Sequence, residues 1–145
     1  MRPALLILAL VACSTETQIL GATVTYEDGG PQPDRQVARA ICNAAEVARS
    51  LDAISGVKIR VVDEETRDGL CLSSVKRSCW LPQSRTVVVV RPGDGCQVPD
   101  NAITHELGHA DREAWLGNSD ADHEDAEWWE RWDEIAAERG CGGVR

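Results

Sequence analysis

The chain has 145 residues, which is enough for one compact domain and too few for two of ordinary size. It carries 15 Lys and Arg against 24 Asp and Glu, so its formal net charge at pH 7 is −9. This balance argues against nucleic acid, or an anionic membrane surface, as a partner attracted by charge. The charge excess lies in residues 100–139, which hold thirteen acidic and three basic residues and also all three histidines.

Residues 1–12 have the layout of a secretory signal peptide. Arg2 precedes nine consecutive apolar residues that end directly at Cys13. Nine residues are too few to span a bilayer, which takes about 20, and they fit the apolar region of a signal peptide. The run Leu-Val-Ala-Cys that ends at Cys13 resembles a bacterial lipobox, which implies cleavage before this cysteine and acylation of its thiol. We therefore expect an exported lipoprotein that faces the periplasm or the extracellular space, with residues 13–33 as its tether. An ordinary cleaved signal and a buried apolar strand are the alternatives.

The six cysteines are predicted to form disulfides rather than a metal site, because an exported protein meets an oxidising compartment. The sequence also lacks the C-x-x-C pair that a zinc ribbon needs. If Cys13 is acylated, five cysteines remain, and they allow about fifteen pairings into two bridges with one thiol left over. We predict a Cys71–Cys79 bridge across a small loop, a Cys96–Cys141 bridge and a free thiol at Cys42.

The segment before residue 92 shows alternating helical and strand patterns. A β-like run at 22–26 and a turn at 28–33 are followed by Asp34, which is a suitable helix cap. The helix is predicted up to Gly56, on apolar residues at helical spacing: Val37, Ile41, Ala44, Ala48 and Leu51. The elements predicted after it are a strand at 57–62, a loop at 63–69, a strand or hairpin at 70–80 and a strand at 86–91.

The last third of the chain is predicted to form two helices. The first opens at Asp100 or Asn101 and ends at Gly117, and the second opens at Ser119 and ends before Gly140. Their predicted buried residues are Ile103, Leu107, Ala110 and Ala114, then Trp128, Trp132, Ile135 and Ala136. The five tryptophans are expected mainly in the core, since the chain has no Phe. The order of elements predicts a small single-domain α+β fold, in which a short sheet packs on the N-terminal helix.

Two histidines lie four residues apart in the run His105-Glu-Leu-Gly-His109. On an α-helix, residues four apart lie one turn apart on the same face, so the two imidazoles point to the same place. A zinc ion binds two or three such nitrogens at about 2.0–2.1 Å and keeps one position open when it is catalytic. Glu106 lies beside the first ligand and could take a proton from a metal-bound water. By composition, only about 0.005 such patterns are expected by chance in this chain.

This run resembles the active-site helix of the zincin metallopeptidases, whose motif is HExxH. The resemblance extends over residues 85–139 and implies a minimal zincin-like domain at 34–145. It also implies that His105 and His109 are zinc ligands and that Glu106 is the catalytic base. The domain would comprise a short sheet, an N-terminal helix, the HExxH helix and a C-terminal helix.

The third ligand distinguishes the zincin subfamilies. The metzincin pattern is excluded, because Arg112 and Trp115 stand where it needs Gly and His. Gluzincins use a Glu from a later helix, here Glu127 or Glu130, whereas the minimal, SprT-like zincins use a His near the start of the next helix. His123 resembles the latter arrangement, and the positive end of its predicted helix would keep its imidazole neutral. The acids expected to orient the imidazole N–H groups are Asp120, Asp122, Glu124 and Glu127.

The resemblance implies a monomeric zinc metalloendopeptidase that binds one Zn²⁺ ion on His105, His109 and His123 and hydrolyses a peptide or protein substrate. The strand at 86–91 is expected either as an edge strand that pairs with the peptide or as an ordinary core strand, and Trp129 is a candidate for lining a pocket. The alternative function is a non-catalytic, zinc-stabilised envelope lipoprotein or binding module. A disulfide-stapled domain without metal is a third possibility.

Overall fold

A computed structural model of the protein describes residues 16–32, 34–72, 78–91 and 98–140, with side chains in the last segment from 102 to 134. It shows a small single-domain α+β fold, which confirms the predicted class. The elements are β1 (Glu16–Ile19), β2 (Ala22–Tyr26), α1 (Arg35–Val47), a 3₁₀ turn (Leu51–Ala53), β3 (Lys58–Val62), α2 (Glu64–Cys71), β4 (Ser78–Leu81), a 3₁₀ turn (Pro82–Ser84), β5 (Thr86–Val90), α3 (Val98–Leu116) and α4 (Ala126–Gly140).

The five strands form one mixed sheet in the order β1-β2-β3-β5-β4. The pairs β2–β3 and β3–β5 are parallel, and the two outer pairs are antiparallel. Because β5 lies between β3 and β4, the interpretation of residues 86–91 as a core strand is confirmed, and the edge-strand alternative is wrong. Within the described part of the chain, β4 forms the edge on this side of the sheet.

The first two strands form a hairpin that belongs to the domain. Leu20 and Gly21, between them, have φ angles of 49° and 82°, as a two-residue hairpin turn requires. Val24 of β2 is fully buried and pairs with Ile59 of β3. The tether predicted for residues 13–33 is therefore wrong over β1 and β2, because these residues complete the sheet. Residues 1–15, which include the predicted signal peptide and Cys13, lie outside the described part.

The two faces of the sheet are covered by different helices. Since side chains alternate across a strand, the paired residues Ile59 and Val87 share one face with Val61 and Val89. These side chains form the hydrophobic core together with apolar residues of α1, α3 and α4. On the opposite face α2 packs against β4 and β5. Within the described residues, no helix is long and apolar enough to cross a membrane.

Helix α1 begins where the sequence predicts and ends early. The carboxylate of Asp34 caps it by accepting hydrogen bonds from two N–H groups of the first turn. The first three residues of the predicted stripe are buried: Val37, Ile41 and Ala44. The helix ends at Val47, because Ala48 has an extended ψ of 139°, and Leu51 is consequently 57% exposed.

The loop predicted for residues 63–69 is wrong, because helix α2 occupies this stretch. The carboxylate of Asp63 accepts a hydrogen bond from the backbone N–H of Thr66 at 2.7 Å and so caps the helix. Glu64 and Glu65 lie in its first turn, where negative charge is favoured. The acidic residues that suggested a loop therefore stabilise the start of a helix.

The predicted Cys71–Cys79 disulfide is present and joins the end of α2 to β4. The strand or hairpin predicted for residues 70–80 is correct at its β4 end only, since Cys71 belongs to α2. Cys42 has a free thiol and is exposed on α1, which agrees with the prediction. The predicted Cys96–Cys141 bridge lies outside the described residues.

Helix α3 begins at Val98, before both predicted starts at Asp100 and Asn101. It ends as predicted at Gly117, which has a φ of 78° and donates its N–H to the carbonyl of Glu113 at 2.9 Å. Glycine adopts this left-handed conformation without the steric cost that other residues have.

Tryptophan burial is mixed. Trp128 and Trp132 of α4 are buried, as predicted. Trp115 is 58% exposed, and its ring lies under the guanidinium of Arg49 at 5.1 Å, so its assignment to the core is wrong. The predicted stripe of α3 is buried at Ile103, Leu107 and Ala110 and exposed at Ala114. The side chains of Ile135 and Ala136 lie outside the described residues.

Candidate metal centre

The side chains of three histidines meet where helix α3 packs against helix α4 and the loop before it. His105 and His109 lie one turn apart on α3, and His123 lies in the loop that leads to α4. Each offers one ring nitrogen, and these three atoms lie within 4.8 Å of one another. The Nε2 atoms of His105 and His123 are 2.9 Å apart. The three side chains therefore form a set of nitrogen donors that could hold a metal ion.

The alternative third ligands do not join this set. Glu127 and Glu130 of α4 are exposed, and among the described residues the donor group consists of the three histidines alone. Since the described donor group contains His123 and neither glutamate, the geometry favours the histidine over both alternatives.

The backbone of His123 differs from the prediction. Helix α4 begins at Ala126 instead of Ser119, so this histidine lies before the helix and has a left-handed φ of 56°. The prediction that the positive end of this helix keeps the His123 imidazole neutral is therefore wrong, because His123 lies outside the helix. A turn places it instead: the carboxylate of Asp120 accepts hydrogen bonds from the N–H groups of Glu124 at 3.0 Å and of Asp125 at 2.9 Å.

Trp129 packs against all three histidines. Its ring centroid lies 4.6 Å from that of His105, 4.3 Å from that of His109 and 4.5 Å from that of His123. Its indole Nε1 donates a hydrogen bond to Oδ2 of Asp120 at 2.7 Å. The indole of Trp129 thus contacts the three imidazoles and bonds to the loop that carries His123, while its place in the lining of a pocket stays a prediction.

The close approach of α4 to α3 depends on Gly108. A Cβ atom at this position would lie 3.2 Å from the Trp129 ring and 3.1 Å from the Trp132 ring. Such distances are shorter than ordinary van der Waals contact. The glycine between the two histidines therefore leaves room for the indole beneath them.

The Nδ1 atoms of His105 and His109 each lie near an oxygen atom. Nδ1 of His109 is 2.6 Å from the backbone carbonyl of Ser119, and this bond leaves Nε2 as the nitrogen that could bind a metal ion. Nδ1 of His105 is 3.5 Å from a carboxylate oxygen of Asp133. Metal-binding histidines characteristically have such partners, which fix the tautomer and the ring orientation.

The sequence did not reveal these partners. Of the four acids predicted to orient the imidazoles, Asp120 acts through the loop and Trp129. The other three acids are exposed to solvent: Asp122, Glu124 and Glu127. Asp133 follows Trp129 by one helical turn and shares its face, which is the signal that could have identified it.

Burial favours the neutral form of the imidazoles. It lowers the pKa of His109 to about 4. It also lowers the pKa of His105, with a further contribution from the neighbouring His123. A neutral imidazole has a free lone pair, so His109 is ready at pH 7 to bind a metal ion without first losing a proton.

Glu106 lies beside the histidines and outside their donor set. Its side chain is buried, and Oε2 is 3.9 Å from Nε2 of His109. The other carboxylate oxygen, Oε1, accepts a hydrogen bond from the hydroxyl of Ser78 on β4 at 2.8 Å. Ser78 lies 28 residues away in the sequence, and no local pattern indicated it.

Comparisons of the chain with protein-family models, with curated proteins and with solved structures found no match. The chemistry of the site is therefore inferred from its own residues.

Proposed function

We propose that the protein is an exported zinc metallopeptidase. In this proposal His105, His109 and His123 hold one Zn²⁺ ion, and Glu106 is the catalytic base. The observation that carries the proposal is the convergence of three imidazole nitrogens within 4.8 Å, next to a buried carboxylate. The resemblance of the helix to zincins, and of the first residues to a lipoprotein signal ending at Cys13, supplies the reaction class and the location.

The three donor nitrogens lie within 4.8 Å of one another, and one pair of them has nearly the separation that zinc requires. Nitrogens bound to one tetrahedral zinc ion at about 2.0–2.1 Å are roughly 3.3 Å apart. The nitrogens of His105 and His123 are 2.9 Å apart, within a few tenths of an ångström of that separation. Three protein ligands also leave a fourth position open, which is typical of catalytic rather than structural zinc.

The protein groups have distinct roles in this mechanism. When bound, zinc would supply a Lewis acid that activates water and polarises the carbonyl of the substrate. Glu106 accepts the proton of the attacking water and then delivers it to the leaving amine. Its burial keeps bulk water away from the carboxylate, and Trp129 holds the imidazoles in place.

The second part of the proposal is that the substrate binds along strand β4. This strand is one of the two edges of the described sheet and carries Ser78, which contacts the proposed base. An extended peptide that adds to the outer side of β4 would pass the catalytic carboxylate. We therefore propose an extended or unfolded segment of a peptide or protein as the substrate, cleaved by a monomeric enzyme. Substrate pairing is thereby assigned to β4 instead of β5.

The experiment compares Glu106→Gln and His123→Ala with the parent protein, measuring bound zinc and cleavage of an unfolded protein. Glu106→Gln should keep about one zinc ion and lose activity by at least about 100-fold, because only the base is removed. His123→Ala should lose zinc, whereas Glu127→Ala is the matched control and should keep it.

Two outcomes would contradict the proposal. A parent protein that binds zinc and cleaves nothing would favour the non-catalytic alternative. Zinc retained by His123→Ala and lost by Glu127→Ala would move the third ligand to the glutamate. The mass of the mature N-terminus tests acylation of Cys13 separately.

A further inference from the structure

We propose that Ser78 is the positioning residue of Glu106, holding one carboxylate oxygen so that the other is directed toward the histidine cluster. The catalytic part of this inference rests on the proposed function. The hydrogen-bonding part concerns the protein without metal and stands independently.

The carboxylate of Glu106 has its two oxygens in different surroundings. Oε1 accepts the Ser78 hydroxyl at 2.8 Å, and Oε2 lies 3.9 Å from Nε2 of His109. Rotation about the last bond of a glutamate side chain is soft, so rotamer preference alone does not fix the carboxylate plane. A donor on one oxygen defines the plane and therefore the direction of the other oxygen.

Ser78 is itself held on a rigid strand. Its partner in the sheet register is Val89 of β5, and the same register pairs Trp80 with Val87. Side chains two residues apart share a face, so Ser78 and Trp80 both face α3. There the indole N–H of Trp80 donates a hydrogen bond to Oε2 of Glu113, with an Nε1 to Oε2 distance of 2.9 Å. Two side-chain hydrogen bonds thus connect β4 to α3.

The other face of β4 is anchored covalently. Cys79 lies between Ser78 and Trp80, faces the opposite way and forms the disulfide with Cys71 of α2. The strand is therefore fixed to α3 on one face and to α2 on the other. A hydroxyl on such an element is held more precisely than one on an unattached loop.

The test compares Ser78→Thr with Ser78→Val, since the two new side chains are similar in shape and only the first retains a hydroxyl. In the zinc-loaded protein, we expect Ser78→Val to lower kcat about tenfold relative to Ser78→Thr, with KM unchanged within about twofold. Zinc content should be equal in both. Equal kcat values for the two variants would overturn the catalytic role.

A second measurement needs neither zinc nor activity. In the metal-free protein, we expect the urea midpoint of Ser78→Val to lie below that of Ser78→Thr. The difference should disappear in the Glu106→Ala background, because the acceptor is gone. Equal differences in both backgrounds would overturn the inference, since the hydroxyl would then act elsewhere. If the parent protein cleaves nothing while this coupling is present, the proposed function fails and the hold of Ser78 on Glu106 stands.

Discussion

The indole Nε1 of Trp129 donates a hydrogen bond to Oδ2 of Asp120 at 2.7 Å. This bond joins the aromatic ring beneath the histidines to the loop that carries His123. The same carboxylate accepts two backbone N–H groups of that loop, at Glu124 and Asp125. One side chain therefore couples the conformation of the loop to the packing of α4 against α3.

Replacing Asp120 should weaken metal binding without removing a ligand. We expect Asp120→Ala to lower zinc affinity about 10- to 100-fold, since residues that orient ligands typically have effects of this size. Competition with a chromophoric chelator measures the change. Asp122→Ala removes a nearby exposed carboxylate of equal charge and is the control. Equal affinities for the two variants would show that Asp120 contributes charge only.

Gly108 provides a second prediction. Gly108→Ala places a methyl group 3.1 Å from Trp132, which is 1% exposed and has little room to move. Overpacking costs about 1–3 kcal/mol and helix propensity returns at most about 1 kcal/mol, so we expect a net loss of about 1 kcal/mol. Gly69→Ala on α2 is the control, because its methyl group meets nothing within 4 Å and should be neutral or stabilising. Urea denaturation compares the two, and a stabilised Gly108→Ala would contradict the packing argument.

The disulfide allows a third prediction. Replacing Cys71 and Cys79 together by serine should lower the free energy of unfolding by roughly 2–3 kcal/mol, because the bridge closes a short loop in the unfolded chain. The matched control is Cys42→Ser, which removes an exposed free thiol and should leave stability unchanged. Thermal denaturation of the oxidised proteins measures both. A double variant as stable as the control would mean that β4 is held by its other contacts alone.

The parts of the site that could be predicted from sequence are local. His105, Glu106 and His109 lie within a single stretch of α3, so helical periodicity alone places them together. Ser78 could not be found in this way, because its contact with Glu106 depends on how β4 packs against the helix.

His123 shows where local reasoning fails in part. The sequence predicts that this residue lies beside the other two histidines, which the structure confirms, but it also predicts a helical backbone there, which is wrong. The Asp120 side chain competes for the backbone N–H groups of the loop and so delays the start of α4 to Ala126. Helix α2 differs from the prediction for a related reason: its acidic start favours a loop by composition, but Asp63 acts as a helix cap.

Acid should weaken a charged cluster at the end of β5. Arg91 pairs with both carboxylate oxygens of Asp28, including a bond of 2.7 Å from Nη2 to Oδ1, and its guanidinium lies 5.0 Å from the Tyr26 ring centroid. The hydrogen bonds from Arg91 hold the pKa of Asp28 below its ordinary value of 3.8. In acid, the unfolded state therefore binds a proton at this carboxyl before the folded state does.

The sign of the pH effect follows from that order. The contribution of Asp28 to stability is present above about pH 4 and is lost as the pH falls through its lowered folded-state pKa. We expect Asp28→Asn to cost about 1 kcal/mol at pH 7 and progressively less below pH 4, where the parent protein loses the same interaction. Urea denaturation of the metal-free proteins between pH 2.5 and 7 measures the difference. Asp52→Asn, at an exposed position, is the matched control and should show little difference at any pH. A cost for Asp28→Asn that stays constant across this range would mean that the Asp28 pair with Arg91 contributes packing rather than charge.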